Sequence, residues 1–175
     1  TRSDPEGRPT VYDLVADAAA HLVAVGRLDL ATSGLLLFTN DPRLADALTD
    51  PVNAIPRVYL VTVPGRWDER KSLLVKEGIV EASQALRAAE VVVRKVSGRE
   101  SHLVVTLTEG RNREVRRLMK AAGHEVTRLR RVAFGGLALR DLPTGKWREI
   151  SFTELSASFG SLVAEIGARH FPAPC

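Results

Sequence analysis

"HLVVTLTEGRNREVRRLMKAAGHEVTRLRRVAF", residues 102–134, is the stretch on which the fold turns. His102 to Thr108 is an apolar, β-branched run of strand length, and Glu109-Gly110 turns the chain. From Asn112 to Ala122 the period changes. Val115, Leu118, Met119 and Ala122 recur at three- and four-residue spacing, which places them on one face of a helix. Gly123 follows at the position where a left-handed residue ends helices. Val126 to Phe134 returns to strand, with basic residues interleaved.

Upstream, Arg57 to Val63 is a β-rich run closed by Pro64-Gly65, and Asp68 can cap a helix carrying Leu73, Leu74 and Val75. Ala88 to Val96 reads as another strand. Nearer the start, Thr10 can cap a short helix through Val11 to Val15, and Leu22 to Val25 is a short strand. A loop from Gly26 to Gly34 leads to a strand from Leu35 to Thr39. Asp41-Pro42 then opens a helix with Leu44, Ala47 and Leu48 on its apolar face. Downstream, Ser151 and Glu154 form a capping box for a final helix through Leu155, Phe159, Leu162 and Val163. Strands and helices do not alternate strictly, so the fold class is α+β rather than doubly wound.

The chain of 175 residues is long enough to bury a real core, and it is 45% hydrophobic and 26% charged, as globular proteins are. No apolar stretch has the length of a membrane span, and Thr1-Arg2-Ser3-Asp4-Pro5 lacks the layout of a signal peptide. The single cysteine, Cys175, excludes an internal disulfide and a cysteine-rich zinc site, which fits a reducing cytoplasm. The net charge of +4 is unevenly placed: residues 94–148 hold 14 Lys and Arg against 5 Asp and Glu. Such a block is the footprint of a polyanion binder, and equally the composition of a solvated face.

Candidate chemistry is sparse. There is no HExxH, no histidine cluster, no phosphate loop and no GxGxxG. Asp29 stands two residues after Arg27, just before the apolar run Gly34 to Phe38. The haloacid dehalogenase pattern would need a second Asp at position 31, where this chain has Ala31. Asp29 is therefore a turn residue bonding its own backbone, or the counter-charge for a basic group at a core margin. Arg116, between Val115 and Leu118 on the helix, is one such group. Tyr59, in a mostly aliphatic strand, is a stacking platform for a base or a core tyrosine with a bonded hydroxyl.

Three stretches together resemble one family. "VGRLDLATSGLLLFTND" (25–41), "PRVYLVTVPG" (56–65) and "LTEGRNREVRRLMKAAGHEVTRLRRVAFGGLAL" (107–139) are similar, in order and spacing, to the motifs of RsuA/RluB-type ribosomal RNA pseudouridine synthases. "DPEGRPTVYDLV" (4–15) and "LPTGKWREIS" (142–151) resemble the flanks, so the likeness covers nearly the whole chain. The resemblance implies a mixed, largely antiparallel sheet with flanking helices and a central active-site cleft. It implies one catalytic domain of two subdomains, roughly 1–65 with parts of the C-terminal half, and 66–175. The small S-four-like RNA-binding domain that precedes it in relatives is expected to be absent.

Carried over position by position, the resemblance makes Asp29 the nucleophile and Arg27 the arginine that fills the space of a flipped-out uridine. Tyr59 stacks on the base, Arg116 pairs with Asp29, and Leu118 lies in the apolar floor. Arg57, Arg111, Arg113, Arg128, Arg130 and Arg131 are expected to meet RNA. No cofactor and no metal are expected. The implied partner is ribosomal RNA or a ribosomal subunit precursor, met by a cytoplasmic monomer with no membrane association. The large-subunit branch fits better than the small-subunit one. A non-catalytic ribosome assembly factor is the competing reading, and an Asp-dependent hydrolase, lacking its second acid, is a third.

Overall fold

The structure, a computed structural model, describes residues 3–18, 21–81, 83–160 and 162–164; Cys175 lies outside them. Ten strands and four α-helices are present among these residues: β1 (Val23–Val25), β2 (Ser33–Gly34), β3 (Leu37–Thr39), α1 (Pro42–Thr49), β4 (Arg57–Pro64), α2 (Glu69–Glu77), β5 (Ile79–Glu81), β6 (Gln84–Leu86), β7 (Glu90–Val96), β8 (Glu100–Leu107), α3 (Glu114–Ala121), β9 (Arg128–Phe134), β10 (Leu137–Ala138) and α4 (Phe152–Phe159). The main sheet runs β10-β9-β4-β8-β7, with β2 on the same edge of β9 as β10. Every pairing in it is antiparallel except β2 with β9. The class is α+β with a mixed, largely antiparallel sheet, as the sequence led one to expect.

Alternation decides which face is covered. Along β8, Ser101, Leu103, Val105 and Leu107 are buried while their neighbours are half-exposed. The buried face meets α2 and α3 in one cluster that includes Val61, Val63, Val75, Leu86, Val115, Leu118, Met119 and Leu129. A second cluster packs Val25, Leu35, Leu37, Leu48 and Ile55 against Phe134 and Leu137.

β9 carries a register shift against β4. Tyr59 pairs with Arg131 and Val58 with Ala133, so Val132 is the extra residue. The bulge changes the parity of the strand and puts Arg131 and Phe134 on one face, with the Arg131 guanidinium carbon 5.3 Å from the Phe134 ring centre.

Several expectations about elements are corrected. The strand expected from Leu35 to Thr39 is only Leu37–Thr39, and Ser33–Gly34, expected to lie in the loop before it, is a second short strand. Ser33–Gly34 pairs with β9, and Leu37–Thr39 pairs with β1, so the chain steps from one sheet to another between them. Gly34 permits the step: its φ is +109°, and a Cβ there would lie 2.1 Å from the Arg131 carbonyl oxygen. α3 starts at Glu114 rather than Asn112, because Arg113 takes a left-handed conformation with φ 50°. The first helix is only a 3-10 turn, Asp13–Val15. α4 ends at Gly160, whose φ of 51° interrupts the run, and Leu162 and Val163 are helical again beyond it. The β5–β6 hairpin and β10 were not read from the sequence; β10 closes a two-residue hairpin through Gly135 and Gly136. Among the described residues no helix is long and apolar enough to cross a membrane.

Candidate active site

The two clusters meet at a cleft with a cavity of about 120 Å³. The Gly26–Thr32 loop forms one wall and the residues from Leu107 to Val115 another; Arg57, Tyr59, Leu129, Arg131 and Phe134 line it from the sheet. Leu107, Val115 and Leu129 supply its apolar floor. Leu118, the expected floor residue, sits wholly within the core beneath.

Asp29 is a turn residue and a site residue at once. Its carbonyl accepts from the Thr32 N–H at 2.8 Å and closes the loop. Its carboxylate, 26% exposed, faces two arginines: Oδ2 lies 3.7 Å from Arg113 Nη1 and 3.9 Å from Arg116 Nε. Arg116 is fixed by backbone carbonyls on both sides of the cleft, donating from Nη1 to Val126 at 3.0 Å and from Nη2 to Ala31 at 2.7 Å. The second bond ties α3 to the loop that bears Asp29. The left-handed backbone of Arg113, uncommon for a residue with a side chain, accompanies its approach to the same carboxylate.

The remaining arginines divide by face. Arg57 is buried under the cleft, donating to the carbonyls of Ile55 at 2.8 Å and Thr108 at 3.1 Å, with its guanidinium over the Phe134 ring. Arg131 is buried and donates from Nε to the Leu35 carbonyl at 2.7 Å. Burial pulls both guanidiniums below their ordinary values, and the Tyr59 phenol opposes this in each case. Arg27 is exposed at the mouth. Arg111 is exposed and paired with Glu109. Arg128 and Arg130 pair across the ladder with Thr62 and Leu60 and point away from the cleft, because side chains alternate along β9. Arg117, on the same helical row as Arg113, instead binds Glu81 and Gln84 of the β5–β6 hairpin. Much of the basic block is thus engaged inside the fold.

Glu114 was not singled out from sequence. It is 3% exposed, opens α3 and lines the cleft. Its Oε2 accepts from the Arg111 N–H at 3.2 Å. Burial pushes its carboxyl up to about 7; the Arg111 N–H opposes this, and Glu109 adds to it. Its sequence signal was ambiguous, since a glutamate in a first helical turn is ordinary capping chemistry.

Among the described residues, four buried side-chain polar atoms lack a hydrogen-bond partner: Thr32 Oγ1, Glu114 Oε1, Arg116 Nε and Arg131 Nη2. Three belong to residues lining the cleft, and the fourth faces Asp29. An unsatisfied buried polar group costs about 1–3 kcal/mol, so such groups are completed by water or by a ligand.

Residues 6–121 match the family described as RNA pseudouridylate synthase. A ribosomal large subunit pseudouridine synthase B of Salmonella typhi is 46% identical over 159 residues, covering 88% of this chain and 54% of that protein. An uncharacterized RNA pseudouridine synthase of Aquifex aeolicus is 36% identical over 168 residues, covering 96% of this chain and 66% of that protein. The chain thus spans about half to two thirds of the length of these relatives. A crystal structure of a pseudouridylate synthase superimposes with a TM-score of 0.73 at 28% identity, covering 85% of this chain and 64% of that one. With its fold, its motifs and most of its length matched in this way, the chain belongs to the RNA pseudouridylate synthase family.

Proposed function

We propose that this chain isomerises a uridine of large-subunit ribosomal RNA to pseudouridine, with the Asp29 carboxylate as the attacking group. The observation that carries the reading is the position of Asp29: half-sheltered in a cleft and faced by two arginines. In the reaction the carboxylate attacks C6 of the base or C1′ of the sugar. The N1–C1′ bond breaks, the base turns, a C5–C1′ bond forms, and the bond to Asp29 breaks to return the carboxylate. The proton leaves C5 and N1 gains one, so the product is an isomer and no redox partner is consumed.

A base in folded RNA must leave its stack before the carboxylate can reach it. Tyr59 supplies a face for the extruded ring, and Arg27 at the mouth takes the space the base leaves. Arg113 and Arg116 aim Asp29 and stabilise its negative charge. Arg57 and Arg131 stiffen the cleft wall, while Arg111 and the other arginines exposed around the cleft, Arg27 and Arg113, meet phosphates. The enzyme acts as a monomer in the cytoplasm, on free ribosomal RNA or a subunit precursor.

Asp29→Asn is expected to abolish pseudouridine formation in large-subunit RNA, read by carbodiimide treatment and primer extension, while RNA retention on filters persists. A lost pseudouridine restored in a deletion strain by the Asn variant would overturn the assignment. If deletion removes no pseudouridine at all, a non-catalytic assembly role is the better account.

A further inference from the structure

Two of the unpartnered atoms belong to deeply buried charged side chains that the isomerisation steps leave without a task. Glu114 and Arg131 are 3% and 2% exposed and line the cleft together with Asp29 and Tyr59. Glu114 is held by one oriented bond, and Arg131 by one and by the Tyr59 phenol beside it. Glu114 Oε2 accepts the Arg111 N–H, which closes the first turn of α3, and Arg131 Nε donates to the Leu35 carbonyl. Those bonds meet the structural need and leave Oε1 and Nη2 unsatisfied at fixed positions.

We infer that Arg131 Nη2 and Glu114 Oε1 read the hydrogen-bonding edge of the target base, Nη2 donating to a ring carbonyl and Oε1 accepting the N3–H. This rests on the pseudouridylation reading above. Uracil presents an N3–H donor between two carbonyl acceptors. Cytosine presents a lone pair at N3 and an amino group at C4. In cytosine's case Oε1 would face a lone pair, and a donor at the C4 side would face an amino group. The pair therefore selects uracil over the other pyrimidine, by leaving buried groups unmatched when the wrong base enters.

Titration supports the arrangement. Glu109 and Arg111 from the turn before α3 and Arg57 from β4 act on Glu114, and Arg27, Asp29, Arg113 and Arg131 complete the charged lining. With its carboxyl pushed up to about 7, Glu114 changes state near neutrality. Oε2 must stay an acceptor for Arg111, so the proton enters on Oε1 and removes the acceptor for N3–H. Turnover of uridine is therefore expected to fall as the pH drops through about 7 and to recover above it.

The test uses transcribed large-subunit ribosomal RNA and single-turnover rates from acid to alkaline pH. Glu114→Gln keeps an acceptor for Arg111 but cannot ionise. It is expected to be slowed by about tenfold or more at alkaline pH, the loss of one hydrogen bond to a charged group. It should also lack the wild-type rise through neutrality, with filter retention and the unfolding curve at acid pH unchanged. A Glu114→Gln enzyme with the wild-type rate and the wild-type rise would reduce Glu114 to a helix cap and leave the activity standing. Transcripts carrying 2-thiouridine or 4-thiouridine probe the donor. One of the two should slow the wild type by about tenfold, because sulfur is a weak acceptor. Equal rates on both would remove Arg131 from the base. If the wild type forms no pseudouridine in that RNA, the function itself fails and this inference falls with it.

Discussion

Gly34→Ala tests how tightly the Asp29 loop depends on β9. The backbone at Gly34 has φ +109°, and an added Cβ would meet the Arg131 oxygen at 2.1 Å, its nitrogen at 2.7 Å and its carbonyl carbon at 2.9 Å. All three are backbone atoms, so no side chain can swing aside. A side chain at such a φ costs about 1–2 kcal/mol by itself. Relief of the clash requires β2 to leave β9, which lengthens the Leu35 N–H bond to the Arg131 carbonyl, 2.8 Å, and the Arg131 Nε bond to the Leu35 carbonyl, 2.7 Å. The first is worth about 1 kcal/mol and the second, to a charged donor, about 1.5–3 kcal/mol. The expected loss is about 4–6 kcal/mol, or a melting temperature lower by about 10 °C or more in a chain of this size. Gly65→Ala is the control. Its φ is +74° and no atom lies within 4 Å of the added Cβ, so only the conformational penalty applies. Urea unfolding of both variants measures the difference. If Gly34→Ala lies within about 1 kcal/mol of Gly65→Ala, the close approach does not hold the loop, and the account of how Asp29 is positioned is wrong.

Arg116→Met removes the charge facing Asp29 and the bond to Ala31, and is expected to lower turnover by about 100-fold or more, whereas Arg113→Met, at the more exposed guanidinium, should lower it less. Single-turnover rates decide this, and a wild-type rate for Arg116→Met would sink the proposed pairing. Affinity for large-subunit RNA should fall with salt, and Arg27→Ala and Arg113→Ala should each reduce the slope of log affinity against log salt by about 1. Replacing Arg128 and Arg130 together should leave that slope unchanged, since both point from the opposite face of the sheet; the reverse order of effects would move the RNA-binding surface to that face.

What could be read from the sequence was whatever periodicity and caps encode. Val115, Leu118 and Met119 are buried in the helix their spacing implied, Ala122 is buried at its C-terminal cap, and Asp41, Asp68 and Ser151 cap the helices assigned to them. The site was legible only in part, for two physical reasons. First, strand parity fails at a bulge. Counting alternate residues cannot tell that Val132 is extra, and so cannot place Arg131 and Phe134 on one face while Arg128 and Arg130 turn away. Second, tertiary pairing overrides local pattern. Leu35 to Thr39 has the composition of one buried strand, yet the two strand edges that complete it belong to different sheets. Glu114 was hidden because its burial depends on the cleft wall opposite and not on its helix.

The stepping of the chain between sheets also bears on how the molecule comes apart. Asp29 is carried by a segment that leaves β1 and returns at Leu35, both in the smaller cluster, while Tyr59 and Arg116 ride on the larger one. We propose that the two parts of the site belong to units that open separately, with different free energies. Slow amide exchange at Leu35, whose N–H is held by Arg131, would report the opening of the smaller unit; amides of the β4–β8 ladder would report the larger. Activity should then vanish in denaturant alongside the Leu35 amide, at concentrations where the β4–β8 ladder still resists exchange.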